Sequence, residues 1–273
     1  MRARGAQPAD WRCWRGSVCT PIRVHARDRS GLERLCRYGS RGPLALERLP
    51  VREDGRYEYR TNARATVVRC QAVIDLARVY RRHARNFDRV RTRSLMELPY
   101  LERTTSIAPP PGKVLDVGCG SGEPIARYFV ESGYQVTGID FVDEMLAMCK
   151  SRFPQMTWRS MDMRDLDFRD QFNVVIAWDS FFHLSPADQR LMFPRFSRHT
   201  AAGGVLIFTS GTTEGEAIGG DLCGDPLYHG SLNTDEYAQL LDRHGYDLVL
   251  HKVADPACGG HTVWVAQRRQ VHV

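Results

Sequence analysis

Apolar positions recur at two different periods along the chain, and the change between them marks its organisation. From about Ala72 the spacing is helical: Val73, Ile74, Ala77 and Tyr80, then Ala84 and Phe87, share a face. It predicts a helix there and a second short one over Ser94–Arg103, closed by the rigid turn Pro109–Gly112. Beyond that turn, strands and helices alternate. Lys113–Val117 reads as a short apolar strand, and Glu123–Glu131 as a helix with Pro124 suited to its first turn. Gln135–Ile139 is a strand, and Val142–Lys150 a helix with Val142, Met145, Leu146 and Cys149 on one face. Thr157–Ser160 is a weaker strand, and Phe172–Trp178 a strong buried one. Ser185 is placed to cap a helix from Pro186, which Gly203-Gly204 should stop before a strand over Val205–Thr209. Thr234 should cap a helix running to Arg243 and stopped by Gly245. Tyr246–Val253 and Thr262–Ala266 are the last strands. Repeated strand–helix–strand units imply an α/β fold: a doubly wound, mostly parallel sheet with helices on both faces. Ligands of such sheets bind at the carboxyl ends of the strands.

Residues 1–69 show neither period. They hold sixteen arginines, no lysine and seven acids, whereas residues 70–273 hold 22 basic and 25 acidic residues. The net charge of +6 therefore resides in the first quarter of the chain. The remainder carries no electrostatic footprint for nucleic acid. The expectation for 1–69 is a disordered arm or an upstream stretch added by a mis-assigned start, followed by one domain over 70–273. No apolar run nears the roughly 20 residues that cross a membrane, and no secretory signal heads the chain. The eight cysteines form no C-x-x-C pair and no zinc-finger spacing. They read as reduced packing residues of a cytoplasmic protein, with no metal site.

The strongest chemical signal is Val114-Leu115-Asp116-Val117-Gly118-Cys119-Gly120-Ser121-Gly122. A strand enters three alternate glycines and a helix follows, so the backbone can turn sharply where a Cβ would collide with a ligand. Asp140 closes the next strand, 22 residues after the first glycine, where an acid accepts from both hydroxyls of a ribose. The dinucleotide fingerprint G-x-G-x-x-G/A fails here, because its third glycine position is Glu123. An acid at that helix start would also repel a pyrophosphate. The pattern suits a nucleoside without phosphates that carries a charged amino-acid tail.

With these motifs the sequence resembles the class I S-adenosylmethionine-dependent methyltransferases over residues 70–268. The resemblance implies a seven-stranded Rossmann-like sheet with an antiparallel last strand and a helical N-terminal lid. It implies that Asp116, Gly118, Cys119, Gly120 and Gly122 wrap the methionine moiety and Asp140 holds the ribose. Phe141 would lie against the adenine, Asp162 and Met163 would border its amino group, and Trp178 would close the site after the fourth strand. In small-molecule members a helical Tyr often covers the cofactor; Tyr80 is the candidate, with Arg93 a candidate for the cofactor carboxylate. The alternatives are a nicotinamide-dependent oxidoreductase and a catalytically silent cofactor sensor.

Nucleic-acid amino-methylating members carry an Asn/Asp-Pro-Pro-aromatic motif after the fourth strand. Ala177-Trp178-Asp179-Ser180-Phe181-Phe182-His183 stands there instead, so a small-molecule acceptor is expected: an oxygen, a nitrogen or a carboxylate. A base serves such a transfer only where the nucleophile must lose a proton. Asp179, His183 and His229 are the candidates on the acceptor side, with 211–231 expected as a lid loop. His261, before the last strand, is a further histidine that topology brings to this end.

Overall fold

The computed structural model describes residues 58–61, 64–67 and 75–270. The chain divides into two compact units, Met1–Asp75 and Leu76–Val273. Most of the expected N-terminal arm, and the expected helix start at 72–74, lie outside the described residues. In the first unit, β1 (Glu58–Thr61) pairs antiparallel with β2 (Arg64–Val67), with Glu58 opposite Val67. Strands of four residues are too short to show a period of two in the sequence.

The second unit begins with two helices, α1 (Leu76–Val90) and α2 (Leu98–Ile107). β3 (Lys113–Val117), α3 (Ile125–Glu131), β4 (Gln135–Asp140), α4 (Asp143–Arg152) and β5 (Thr157–Ser160) follow. Then come β6 (Phe172–Ala177), α5 (Pro186–His199) and β7 (Thr200–Ser210). The unit ends with β8 (Gly215–Leu222), β9 (Asp225–Ser231), α6 (Thr234–Arg243), β10 (Tyr246–Asp255) and β11 (His261–Arg268). Seven strands form one sheet in the order β10-β11-β7-β6-β3-β4-β5. β3 pairs parallel with both β4 and β6, so the winding reverses there and a crevice opens at their carboxyl ends. β11 is antiparallel to both neighbours.

The sheet buries both faces. Val114, Val174, Ile207 and Val265 pack on one side under α2, α3 and α4; Leu115, Val175, Phe208 and Trp264 pack on the other under α5 and α6. This explains why the strands read as continuous apolar runs rather than alternating ones. Phe181, fully buried, meets Phe193, Phe196, Phe208 and Tyr237 at ring-centroid distances of 5.3–6.4 Å and anchors the segment after β6.

Four local expectations change. α5 ends at His199, and β7 already begins at Thr200, so Gly203-Gly204 lies within the strand rather than between elements. The register slips there: Phe172 faces Thr200, but Val174 faces Val205. Gly204 lies so close to the chain that a Cβ would stand 2.8 Å from the Asn173 carbonyl oxygen. The cap of α6 is Asn233, whose side chain accepts from the Glu236 N–H at 2.8 Å, rather than Thr234. α2 starts at Leu98, four residues past its expected start, with fully buried Glu97 as its N-cap. Finally, 211–231 is largely the antiparallel hairpin β8–β9, Ile218 opposite Tyr228, rather than a loop. Its glycines and exposure hid the strand pattern. Ser185 caps α5 as expected, accepting from Asp188 at 3.1 Å.

Candidate active site

Gly118, Gly120 and Gly122 all have positive φ, at 81°, 52° and 79°. Gly118 is the most tightly closed in: a Cβ there would stand 2.3 Å from Ser180 Cβ, against 3.2 Å from Phe153 at Gly122 and 3.8 Å from Phe87 at Gly120. Ser180 is fixed in turn, its Oγ donating to the Val117 carbonyl at 2.6 Å, which ties the ends of β3 and β6 together. Four of the loop's own N–H groups are already spent. Gly118 and Cys119 donate to Ile139 O, Gly122 to Cys119 O, and Gly120 to Asp140 Oδ2 at 3.0 Å. None of these four is left to cradle a phosphate.

Asp140 receives a second donor, the Val142 N–H at 2.9 Å, so its carboxylate is held between the glycine loop and the start of α4. Burial pushes its pKa up to about 6 against these donors. Burial, and the charge of Asp140 beside it, push Asp116 up to about 7. Two carboxyls of raised pKa therefore stand at neighbouring strand ends, an arrangement suited to a ligand bringing a cation and hydroxyl donors. The Cys119 side chain turns inward: a Cβ on Gly138 would stand 2.9 Å from its Sγ. Only the backbone of Cys119 borders the loop's outer side. Glu123 is gripped by Arg127, at 2.9–3.0 Å from its Nε, and lies within 4 Å of Arg93 and Arg152.

α1 lies over this loop. Phe87 Cε1 is 3.8 Å from where a Gly120 Cβ would be, and Tyr80, Phe87 and Phe141 pack around Ala84, Val142 and Met145. Asp88 anchors the helix through a two-pronged contact with Arg152 at 2.8 and 2.6 Å; Arg152 also donates to Ser121 O. These contacts hold the Asp88 carboxyl well below its usual range, to about 2. Arg93 donates to Asp88 and to the Arg91 carbonyl, and so is spent on α1 rather than offered to a ligand carboxylate. Asp162 caps the 3₁₀ turn Met163–Asp165, and Arg164 reaches both of its oxygens at 3.0 and 3.1 Å. In this structure Asp162 therefore serves Arg164 where an adenine amino group was expected. Met163 is buried nearby, its Cε 3.7 Å from the position of a Gly118 Cβ.

Beyond the glycine loop lies a second polar group of residues. Tyr80 OH is 2.9 Å from His183 Nε2, and His183 Nδ1 is 2.7 Å from the Tyr228 carbonyl. A carbonyl only accepts, so Nδ1 carries the proton and Nε2 accepts from Tyr80. Burial lowers the His183 pKa to about 4. His183 is thus neutral with both nitrogens occupied, poorly placed as a free base. His229 stacks on it at 5.1 Å, with its pKa also lowered by burial. Asp179 adopts a positive φ of 50°, its N–H donating to Thr209 Oγ1 at 2.9 Å. Its carboxylate meets His261 Nε2 at 2.8 Å and Arg91 at 3.6 Å. Its field reaches Tyr80, His183 and His229 as well. The three expected acceptor-side residues are therefore brought together, on one carboxylate.

Arg91, Glu97 and Tyr100 were not singled out in the sequence. Arg91 donates to Glu97 Oε1 at 2.8 Å; Glu97 Oε2 and Trp178 Nε1 are buried without a hydrogen-bond partner among the described residues. The sequence signal was weak: one arginine in an arginine-rich stretch and one acid before a helix look like solvated surface. Among the described residues no group of three His, Cys, Asp or Glu is placed to hold a metal ion, and no helix is long and apolar enough to cross a membrane.

The reversal at β3, the antiparallel β11 and the glycine loop that follows β3 give the Rossmann-like fold of the class I S-adenosylmethionine-dependent methyltransferases. Residues 114–204 match the family described as a methyltransferase domain, and the chain carries such a domain. It is 26% identical over 147 residues to a dTDP-4-amino-2,3,4,6-tetradeoxy-D-glucose N,N-dimethyltransferase of Saccharopolyspora spinosa, covering 52% of this chain and 59% of that protein. It is 30% identical over 103 residues to a malonyl-[acyl-carrier protein] O-methyltransferase of Bacillus cytotoxicus, covering 36% of this chain and 35% of that protein. The chain thus spans less than two thirds of the length of these curated relatives. In fold it is similar to Burkholderia thailandensis 1,6-didemethyltoxoflavin-N1-methyltransferase, solved with 1,6-didemethyltoxoflavin and S-adenosylhomocysteine bound. There the TM-score is 0.56 at 19% identity, over 79% of this chain and 96% of that one.

Proposed function

We propose that the chain transfers a methyl group from S-adenosylmethionine to an oxygen, nitrogen or carboxylate of a small molecule. The observation that carries this reading is the glycine loop, four of whose N–H groups (Gly118, Cys119, Gly120 and Gly122) are consumed internally while Asp116 and Asp140 stand beside it. A dinucleotide needs those N–H groups for its pyrophosphate. A nucleoside with an ammonium tail needs the carboxylates instead. When bound, the cofactor supplies an activated methyl on a sulfonium, so placement rather than strong base chemistry dominates the barrier.

In this reading Asp116 and the backbone from Gly118 to Gly122 hold the methionine end, and Asp140 accepts from the ribose hydroxyls. Phe141 and Met163 border the adenine, and Asp162 reaches its amino group if the Arg164 contact opens. Tyr80 and Phe87, riding on α1, exclude water from above. Trp178 and Asp179 close the acceptor side, with His183 and His229 forming its aromatic wall and the β8–β9 hairpin acting as the lid. The relatives act on an aminosugar nucleotide and on a protein-bound malonyl group, and their names support a metabolite acceptor without choosing its atom. We place the protein in the cytoplasm; the free Cys119, Cys149, Cys223 and Cys258 support a reducing compartment.

Calorimetry with S-adenosylmethionine, S-adenosylhomocysteine and NAD tests the cofactor. Binding of the first two without NAD is expected, and tight NAD binding alone overturns the proposal. Release of S-adenosylhomocysteine across a metabolite library then separates an enzyme from a silent sensor.

A further inference from the structure

Asp179 is the hub of the acceptor side, and what holds it is a histidine 82 positions further along the chain. His261 is the first residue of β11, just after the turn from β10. Its Nδ1 is 2.5 Å from the Cys258 carbonyl oxygen, and its Nε2 makes an ion-pair contact of 2.8 Å with Asp179 Oδ1, a buried oxygen that accepts no hydrogen bond among the described residues. The carbonyl accepts only, so Nδ1 bears a proton. A bare Nε2 lone pair at that distance from a carboxylate oxygen would be repelled, so Nε2 bears one too. The ring is therefore an imidazolium, packed beside Trp178 at 5.6 Å.

The other cation nearby cannot do this work. Arg91 gives its short contact, 2.8 Å, to fully buried Glu97 and stands 3.6 Å from Asp179 Oδ2, too far for a hydrogen bond. His183 is excluded because Tyr80 and the Tyr228 carbonyl occupy both of its nitrogens. The Asp179 backbone sits at positive φ with its N–H donating to Thr209, and its side chain keeps 29% exposure.

On the methyltransferase reading above, we propose that His261 is the positioning residue of the acceptor side. As an imidazolium it pairs with the Asp179 carboxylate through charge and holds it in place for the acceptor. The charged and titratable groups facing His261 are few. Asp179 arrives from the end of β6 and favours the cation. Arg91, from the segment after α1, opposes it. Within the turn itself, Cys258 is faced by Glu97 and Asp255, and together with burial these push its thiol up to about 12, so it stays neutral. The Asp179 contact prevails, and the His261 pKa is raised above its ordinary value. The grip is therefore complete at low pH and is lost as pH rises through that raised value.

The test uses the full chain, labelled with ¹⁵N. Long-range ¹H–¹⁵N spectra follow each imidazole from pH 5.5 to 9, with His261→Gln assigning the signal. His261 is expected to show two protonated nitrogens at pH 7 and a midpoint above 6.5. Asp179→Asn should lower that midpoint by about one unit or more. A wild-type midpoint at or below 6.5, or one unmoved by Asp179→Asn, overturns the proposal. S-adenosylhomocysteine binding by wild type, measured in parallel, decides the methyltransferase reading separately; its absence sinks that reading while the spectra still decide the pair. With an acceptor in hand whose methylation converts S-adenosylmethionine to S-adenosylhomocysteine, wild-type turnover should fall as pH rises through the His261 midpoint. His261→Gln keeps an N–H for Asp179 but no charge, so it should lose that limb of the profile. A variant that lowers stability yet keeps the limb would return His261 to a structural role.

Discussion

On the cofactor side of the crevice most polar groups that shape the loop lie between Asp116 and Asp140, within two neighbouring strands and the helix they enclose, with Ser180 and Arg152 reaching in from outside. On the acceptor side the neighbours of Asp179 come from positions 80, 91, 183, 229 and 261, carried by α1, the segments after α1 and β6, β9 and the start of β11. The first half is assembled by local chain geometry, the second by the sheet. A local loop tolerates little change, because its glycines have no alternative conformation. A dispersed group can lose one member and keep the rest in place. The two halves should therefore respond differently to mutation and to pH.

The largest effect is expected inside the glycine loop. Gly118→Ala forces a Cβ to 2.3 Å from Ser180 at a φ of 81°, and should cost about 2–5 kcal/mol by denaturant unfolding. Gly120→Ala, whose nearest atom is Phe87 at 3.8 Å, meets only the backbone penalty of about 1 kcal/mol. Equal losses for the two would mean that the Ser180 contact does not shape the loop.

Next comes Asp140→Ala, which removes charge-assisted bonds worth about 1.5–3 kcal/mol each, partly replaced by water. A rise of about 10–100-fold in the S-adenosylhomocysteine dissociation constant is expected by calorimetry. An unchanged constant in the folded variant would remove Asp140 from the ribose.

The pH response sharpens the contrast. Asp140 must be ionised to accept from hydroxyls, and burial sets its pKa near 6. S-adenosylhomocysteine affinity should hold at higher pH and weaken as pH falls through about 6, by up to about tenfold per unit. The Asp116 carboxyl, raised to about 7, acts in the same direction. Affinity independent of pH from 5 to 8 would contradict both placements. On the acceptor side, His183 has a folded pKa depressed to about 4. Its contribution to stability is fully present above the ordinary value near 6.5 and is lost as pH falls through about 4. His183→Gln should remove that acid sensitivity, read as the difference between the two unfolding curves.

The smallest effect is expected from Tyr80→Phe, which takes away the donor to His183 Nε2 and costs about 1 kcal/mol. Cofactor affinity should shift less than with Asp140→Ala, because the ring still packs on Phe87 at 5.7 Å. A larger loss than that of Asp140→Ala would make the hydroxyl itself a cofactor contact.

The order of strands and helices, the glycine loop and Asp140 were all legible in the sequence, because each depends on residues adjacent in the chain or separated by one strand–helix step. A continuous apolar run marks a buried strand such as Phe172–Ala177, and an alternating run of glycines marks a loop that favours glycine. Tertiary structure decided the rest. Gly203-Gly204 reads as a helix stop, but pairing with β6 draws it into β7. The hairpin β8–β9 emerges only when Ile218 meets Tyr228 across it. Arg93 and Asp162 look free in the sequence, yet Asp88 and Arg164 claim them. Which histidine serves Asp179 depends on the sheet's antiparallel end: β11 pairs with β7, whose Thr209 holds Asp179 in place, and so delivers His261 to the carboxylate. Contacts made across a sheet between distant segments leave no spacing in the chain, so only the folded arrangement could select His261 over His183.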